Sequence, residues 1–276
     1  MVKELYDVKF VDSQQKAFEQ IFYGSGFFKR VCLILKYFSE YTKGKVLDLG
    51  CGVGTFAILL SQRGYYCVGL DISKYCIEQS IENAKRLNVA ANTEFVLGNC
   101  GSNVFRKNSF DIIVAADIFE HLPWGVFEKT LVNCFYWLSP GGILIIHTFP
   151  TLYYPLLLSK SAFLVLPILF LPSRLILFYL NVIYYYVLDL FYVLVKGVRY
   201  REIIAKSGHC NPQNPRYFKK LLKKVGFKII KYVLLEEPLS ELEEDMPRYK
   251  FCKRLLKNEI IKPSVFVIAQ KPKSRC

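Results

Sequence analysis

Val46-Leu47-Asp48-Leu49-Gly50-Cys51-Gly52-Val53-Gly54 decides the fold. Its first four residues, with Lys45, are a short apolar run of the kind that forms a buried strand. Three glycines at alternate positions follow, and apolar residues at helical spacing resume over 54–63. A strand that breaks into a glycine-rich turn and re-emerges as a helix brings backbone close to a ligand at a helix N-terminus.

The alternation continues outward. The pattern predicts strands at 65–71, 93–99, 109–117 and 143–149. It predicts helices over 74–87 and about 124–138, and a tight turn at Ser139-Pro140-Gly141-Gly142. Upstream, 13–42 reads as helical, with Gly24 and Gly26 between its apolar runs. Downstream, a basic helix at 214–225 ends at Gly226, and strands are predicted at 227–235 and 264–270. Strands alternating with helices at this pitch imply an α/β, doubly wound parallel sheet with helices on both faces.

The glycine turn reads GxGxG. A dinucleotide site would want GxGxxG, but position 55 is Thr. Asp48, two places before the first glycine, is the other half of the signature. The second strand ends in Asp71, whose carboxylate can accept both hydroxyls of a ribose. Asn99 ends the third, where a side-chain amide can meet an adenine edge. Three polar groups at the carboxyl ends of three neighbouring strands mark a nucleoside-type ligand site.

VLDLGCGVG, GLDIS (69–73), FDIIVAADIFEHLP (110–123) and LSPGGILIIHTF (138–149) together resemble the class I methyltransferases, nearest the quinone-biosynthesis O-methyltransferase-like branch. The resemblance covers about 20–150 and resumes at 208–270. It implies a seven-stranded Rossmann-like sheet, and the apolar run after the fifth strand reads as a helical insertion into it. The resemblance also implies S-adenosylmethionine as cofactor. Gly50 and Gly52 would face its methionine part and Asp71 its ribose, and Ala116 would pack on it. Arg30, twenty residues before the first glycine, would grip its carboxylate. Cys51, Gly54, Ile72 and Cys100 fall on the cofactor side of the same motifs. Asn99 stands where the family commonly has Asp, which keeps an acceptor and drops the charge.

The chain has three histidines. His121, just past the fourth strand, is a candidate for acceptor chemistry. So is His209, in a loop that resembles the family's His-containing loop over the active site. His147 lies inside the fifth strand and reads as structural. The Asn/Asp-Pro-Pro-aromatic motif of methyltransferases that act on base amino groups is absent, which argues against that reaction and leaves ring-carbon and ribose targets open; nucleic acid is not the expected partner. Nine cysteines show neither a CxxC pair nor a Cys/His metal pattern, and no metal is expected. With no signal peptide visible in MVKELYDVKF, reduced thiols and the cytoplasmic side are expected.

Residues 152–196 are almost wholly apolar. As a helix, 175–195 would span about 31 Å, enough for a hydrocarbon core. The stretch before it is broken by Pro155, Pro167 and Pro172. Strands on both sides should share one sheet, so a monotopic or interfacial insertion is favoured over two crossings. The formal charge is +14, and residues 201–276 contribute +10 of it, with 18 basic and 8 acidic side chains. Apolar area beside positive charge suits an anionic lipid surface. The expected organisation is a cofactor-binding core over 1–150, a membrane-associated insertion over 151–207, and completion of the core over 208–276. The expected activity is methyl transfer to a lipid-like or prenylated acceptor. The alternatives are a lipid-linked glycan or phospholipid head group, or a membrane scaffold without catalysis.

Overall fold

The computed structural model describes residues 8–23, 29–38, 44–148, 215–235 and 264–273, with Leu190, Val193 and Leu194. Two helices, α1 (Val8–Tyr23) and α2 (Lys29–Phe38), precede the sheet. Then come β1 (Lys45–Leu49), α3 (Thr55–Ser61), β2 (Tyr66–Asp71), α4 (Lys74–Arg86), β3 (Thr93–Leu97) and β4 (Phe110–Ala116). A 3-10 turn at Phe119–His121 leads into α5 (Trp124–Trp137) and β5 (Leu138–Thr148), and α6 (Pro215–Val225), β6 (Lys228–Leu235) and β7 (Ser264–Gln270) follow.

The strands form one sheet in the order β3-β2-β1-β4-β5-β7-β6. β1 pairs in parallel with both β2 and β4, so the strand order reverses beside β1. That reversal opens the crevice at the carboxyl ends of β1 and β4. The expectation of a parallel sheet needs correction at one strand. β7 runs antiparallel between β5 and β6, so the sheet is mixed. Hydrophobic alternation fixes which residues face the core and carries no information on strand direction, so the sequence pattern could not show this.

The inner strands bury both faces, in period two. Leu47, Leu49, Ile113, Leu144 and Val267 pack on Phe127, Leu131 and Trp137 of α5 and on Phe218 and Leu222 of α6. Val46, Ile112, Val114, Ile145 and Ile268 pack on Ile34 and Phe38 of α2 and on Ala57 and Leu60 of α3. Fully burying an aromatic such as Phe127 contributes about 2–3 kcal/mol, so the two layers hold the sheet edge rigidly. The Ser139–Gly142 segment lies within β5 instead of preceding it. The β4–β5 register shifts between Phe110 and Ile112, and Gly141 N–H donates to Lys271 O at 2.9 Å, which absorbs the turn as a bulge.

α1 is pinned over the glycine turn. Phe18 is fully buried, and Gln15 and Asn83 exchange amide hydrogen bonds at 2.9 and 3.2 Å. Asn83 also donates to Val53 O at 3.0 Å, tying α4 to the turn itself. The insertion expected over 151–207 lies outside the described residues except Leu190, Val193 and Leu194. Among the described residues, no helix is long and apolar enough to cross a membrane.

Candidate functional site

The glycine turn is built by its neighbours. Gly50 and Cys51 N–H both donate to Leu70 O, at 2.8 and 3.1 Å, which turns the chain across the end of β2. Gly50 has φ +71°, and a Cβ there would stand 2.6 Å from Ile118 Cδ1. Gly52 has φ +52°, and a Cβ there would meet only Gln14 Oε1, at 3.7 Å. Open space therefore lies over Gly52, bounded by α1. A side chain would fill it, and its left-handed backbone favours glycine.

Asp48 lies beneath this turn. It is 1% exposed, and its Oδ2 accepts the Ala57 N–H at 3.0 Å, which fixes the first turn of α3. Burial pushes its carboxyl up to about 7, against the Ala57 bond and with a small contribution from the Asp71 charge. Asp48 shapes the turn from below.

Asp71 is placed as the sequence predicts. Its Oδ2 accepts Gly52 N–H at 2.9 Å and its Oδ1 accepts Ser73 N–H at 2.9 Å. Each carboxylate oxygen has a second lone pair, so two further acceptor sites remain for a vicinal diol. Burial raises its carboxyl, and the backbone N–H groups of Ser73, Gly52 and Ile72 oppose that. Beside it lies a groove of about 530 Å³ lined by Ile72, Ser73, Tyr75, Leu97 and Asn99, among others. Tyr75 and Leu97 are exposed there, apolar walls suited to a flat heterocycle. Asn99 Oδ1 accepts Gly101 N–H at 2.8 Å in a local turn, and its amide N–H groups remain as donors.

The remaining cofactor-side residues divide by orientation. The Cys51 and Cys100 side chains are buried, and burial pushes both thiols up. Cys100 Sγ accepts the Thr130 hydroxyl at 3.4 Å, so that thiol belongs to the core. Gly54, φ +87°, caps α3. Ala116 is half-buried at the end of β4 and pairs with His147. Arg30 lies in α2, but its side chain is outside the described residues, as is all of His209.

The turn past β4 holds groups that the sequence reading missed. Past β4, Asp117 adopts φ +54° and its N–H donates to His147 O at 2.9 Å. Its carboxylate Oδ1 is 2.5 Å from His147 Nδ1. Glu120 is buried and accepts the Thr148 hydroxyl at 2.7 Å. His121 is half-buried on the same turn, its N–H donating to Ile118 O at 2.9 Å. Ile118 covers Gly50, so this cluster abuts the glycine turn. The available signal was Asp117, the last residue of the strand predicted over 109–117.

S-adenosylmethionine fits these residues: a diol acceptor at Asp71, a flat groove beside it, and open space over Gly52. Comparison with known proteins agrees. Phosphoethanolamine N-methyltransferase 1 of Arabidopsis thaliana is 32% identical over 104 residues, 37% of this chain and 20% of that protein. A sterol 24-C-methyltransferase of Gibberella zeae is 34% identical over 102 residues, 36% of this chain and 26% of that one. The aligned part thus spans about a fifth to a quarter of these relatives' lengths. Phosphoethanolamine N-methyltransferase 2 of Haemonchus contortus, solved with S-adenosyl-L-methionine, superposes with a TM-score of 0.64 at 19% identity. That likeness covers 99% of this chain and 60% of the other, and it shows the fold. A family model described as a methyltransferase domain matches residues 23–232, and the chain belongs to that family, the S-adenosylmethionine-dependent methyltransferases.

Proposed function

We propose that this protein transfers the methyl group of S-adenosylmethionine to an amine of a phosphoethanolamine-type head group, at a membrane surface on the cytoplasmic side. The carrying observation is Asp117. Its side chain is 25% exposed at the carboxyl end of β4, and its carboxylate is held by the buried His147. A fixed negative charge beside the crevice suits an ammonium group.

When bound, S-adenosylmethionine supplies a methyl activated by its sulfonium. The chain's residues orient and hold. Asp71 accepts the ribose hydroxyls. Gly52 leaves room for the methionine part, and Tyr75 and Leu97 flank the adenine. Asp117 holds the acceptor, with His121 on the same turn. Alignment of this kind is worth about 7–11 kcal/mol of barrier. Similarity to phosphoethanolamine N-methyltransferases supports the acceptor class.

The membrane assignment rests on two signals. Leu190, Val193 and Leu194 are exposed at i, i+3, i+4 spacing within the apolar stretch. Lys219, Lys220, Lys223 and Lys224 are exposed along α6. Stable anchoring takes two such contributions together.

A second reading keeps the quinone-type resemblance and places a prenylated or other lipid-like acceptor in the site. The apolar stretch 152–196 and the similarity to a sterol methyltransferase favour it. Labelled methyl transfer to phosphoethanolamine, and in parallel to a total lipid extract of the source cells, decides between them. Label in phosphoethanolamine supports the first reading. Label only in an apolar lipid supports the second. Cofactor binding with label in neither refutes both and leaves the scaffold.

A further inference from the structure

We propose that Glu120 and His147 form a buried proton-accepting pair that works through Asp117, so that each methyl placed on an amine sends one proton into this cluster. The inference rests on the amine reading above.

Two segments far apart in sequence build the cluster. The turn after β4 supplies Asp117 and Glu120, and the end of β5 supplies His147 and Thr148. Pairing of Ala116 with His147 sets the two segments side by side, and the Asp117 N–H bond to His147 O locks them. Glu120 is 1% exposed and His147 2%, so neither meets solvent directly. Of these three, Asp117 reaches outward, and its Oδ1 is in hydrogen-bond contact with His147 Nδ1.

Burial pushes the Glu120 carboxyl up to about 8, and the Asp117 charge adds to this. The Thr148 hydroxyl, the Glu120 backbone and the His147 charge oppose it. Two arrangements then compete near neutral pH. Either Asp117 is ionised beside a neutral Glu120 and a neutral His147, or both carboxylates are ionised around an imidazolium. Each carries one net negative charge, and they differ only in which buried group holds the proton. Groups that interact this closely titrate as a unit. Among the described residues, other elements add few titratable groups here. β1 brings Asp48 opposite Val114, β7 brings Phe266 opposite His147, α6 brings Phe218 against Phe119, and the turn itself carries His121.

The chemistry requires such a sink. An ammonium has no lone pair until it gives up a proton. That proton passes to the Asp117 carboxylate, and the cluster goes from one net negative charge to none. The freed lone pair then forms the N–C bond while the C–S electron pair stays on sulfur. The products are the N-methylated ammonium, the neutral thioether and one proton held by the cluster. Loss of that proton to water through Asp117 resets the site. His147 and Glu120 are positioning residues in this scheme, because only Asp117 meets the acceptor.

The test uses the full chain saturated with S-adenosylhomocysteine. Nitrogen-15 histidine spectra are followed against pH, with only three histidines to resolve and His147→Asn to assign the signal. Coupling predicts that Glu120→Gln moves the His147 titration by about one pH unit. In parallel, methyl transfer to phosphoethanolamine is measured for His147→Asn. Asn keeps a donor toward Asp117 and loses only the titrating ring. It should bind S-adenosylhomocysteine like the wild type, lose about 100-fold in turnover near neutral pH, and show an altered pH profile. A His147 titration indifferent to Glu120→Gln overturns the pair, and so does full turnover in His147→Asn. If the wild type leaves phosphoethanolamine unmethylated, the acceptor reading fails, and the spectra still decide whether the pair exists.

Discussion

Replacing Asp71 by Asn separates cofactor binding from folding, and the structure sets the size of each effect. In the wild type each carboxylate oxygen accepts one backbone N–H, from Gly52 and from Ser73. Asn has one acceptor oxygen, so one of those N–H groups would face an amide N–H₂. Leaving a donor unsatisfied costs about 1–3 kcal/mol. The substitution also removes a carboxylate whose ionisation burial already disfavours. Relief of that penalty offsets the lost bond, so the unfolding midpoint should move little. Affinity has no such offset. Hydrogen bonds to a charged group are worth roughly twice neutral ones, and two ribose hydroxyls lose that assistance, for about 2 kcal/mol in all. That is about a 30-fold weaker Kd. Calorimetric titration with S-adenosylmethionine, beside urea unfolding of the same samples, measures both. An unchanged Kd at unchanged stability refutes Asp71 as the ribose acceptor. A large loss of stability refutes the offset.

Three further predictions follow from the same geometry. Gly50→Ala forces a side chain into a left-handed backbone and toward Ile118 Cδ1, 2.6 Å away, and should cost about 1–2 kcal/mol, read as a fall in Tm of about 4 °C. Glu120→Gln should leave stability near wild type at pH 4. Because the folded carboxyl titrates near 8 and the free one at 4.5, wild-type stability falls as pH rises between those values, so the variant should gain on it across that window and hold the gain above it, as urea unfolding at pH 4, 6 and 9 would record. The full chain should sediment with vesicles containing anionic lipid. High salt should weaken that association without abolishing it, and a protein left in the supernatant at low salt refutes the membrane proposal.

The cofactor half of the site was legible because one contiguous run encodes it. VLDLGCGVG carries its own strand, turn and helix start, and Asp71 follows at the end of the next strand. The acceptor half was not. Asp117 and His147 are 30 positions apart, and only the β4–β5 register brings them together. A histidine inside an apolar strand reads as packing, and here it is both packed and bonded to a carboxylate at the crevice. The N-terminal helical reading over 13–42 resolves into α1 and α2, with the glycine-containing stretch between them outside the described residues. Strand direction was equally hidden: SVFVIAQ is a continuous apolar run, buried on both faces, and reads the same whether it runs parallel or antiparallel. Arg30's side chain, His209 and most of 152–196 lie outside the described residues, so those expectations stand on sequence alone.

Acidic groups converge on the carboxyl edge of the sheet within a strongly basic chain. Asp48 lies near the end of β1, Asp71 closes β2, and Asp117 and Glu120 follow β4. Asp48 and Glu120 are pushed to about 7 and 8, and Asp71 is raised too, each chiefly by burial. Neighbouring charge adds to two of these shifts, from Asp71 at Asp48 and from Asp117 at Glu120. A cation entering this edge stabilises the ionised carboxylates. S-adenosylmethionine brings a sulfonium. By linkage its binding should release protons, and its affinity should rise as pH approaches the range where these carboxyls ionise. S-adenosylhomocysteine has lost the sulfonium charge and gains less from the same field. On the amine reading that positive charge reappears on the methylated acceptor. On this reasoning the edge should hold S-adenosylmethionine more tightly than S-adenosylhomocysteine, which favours exchange of the spent cofactor for a fresh one.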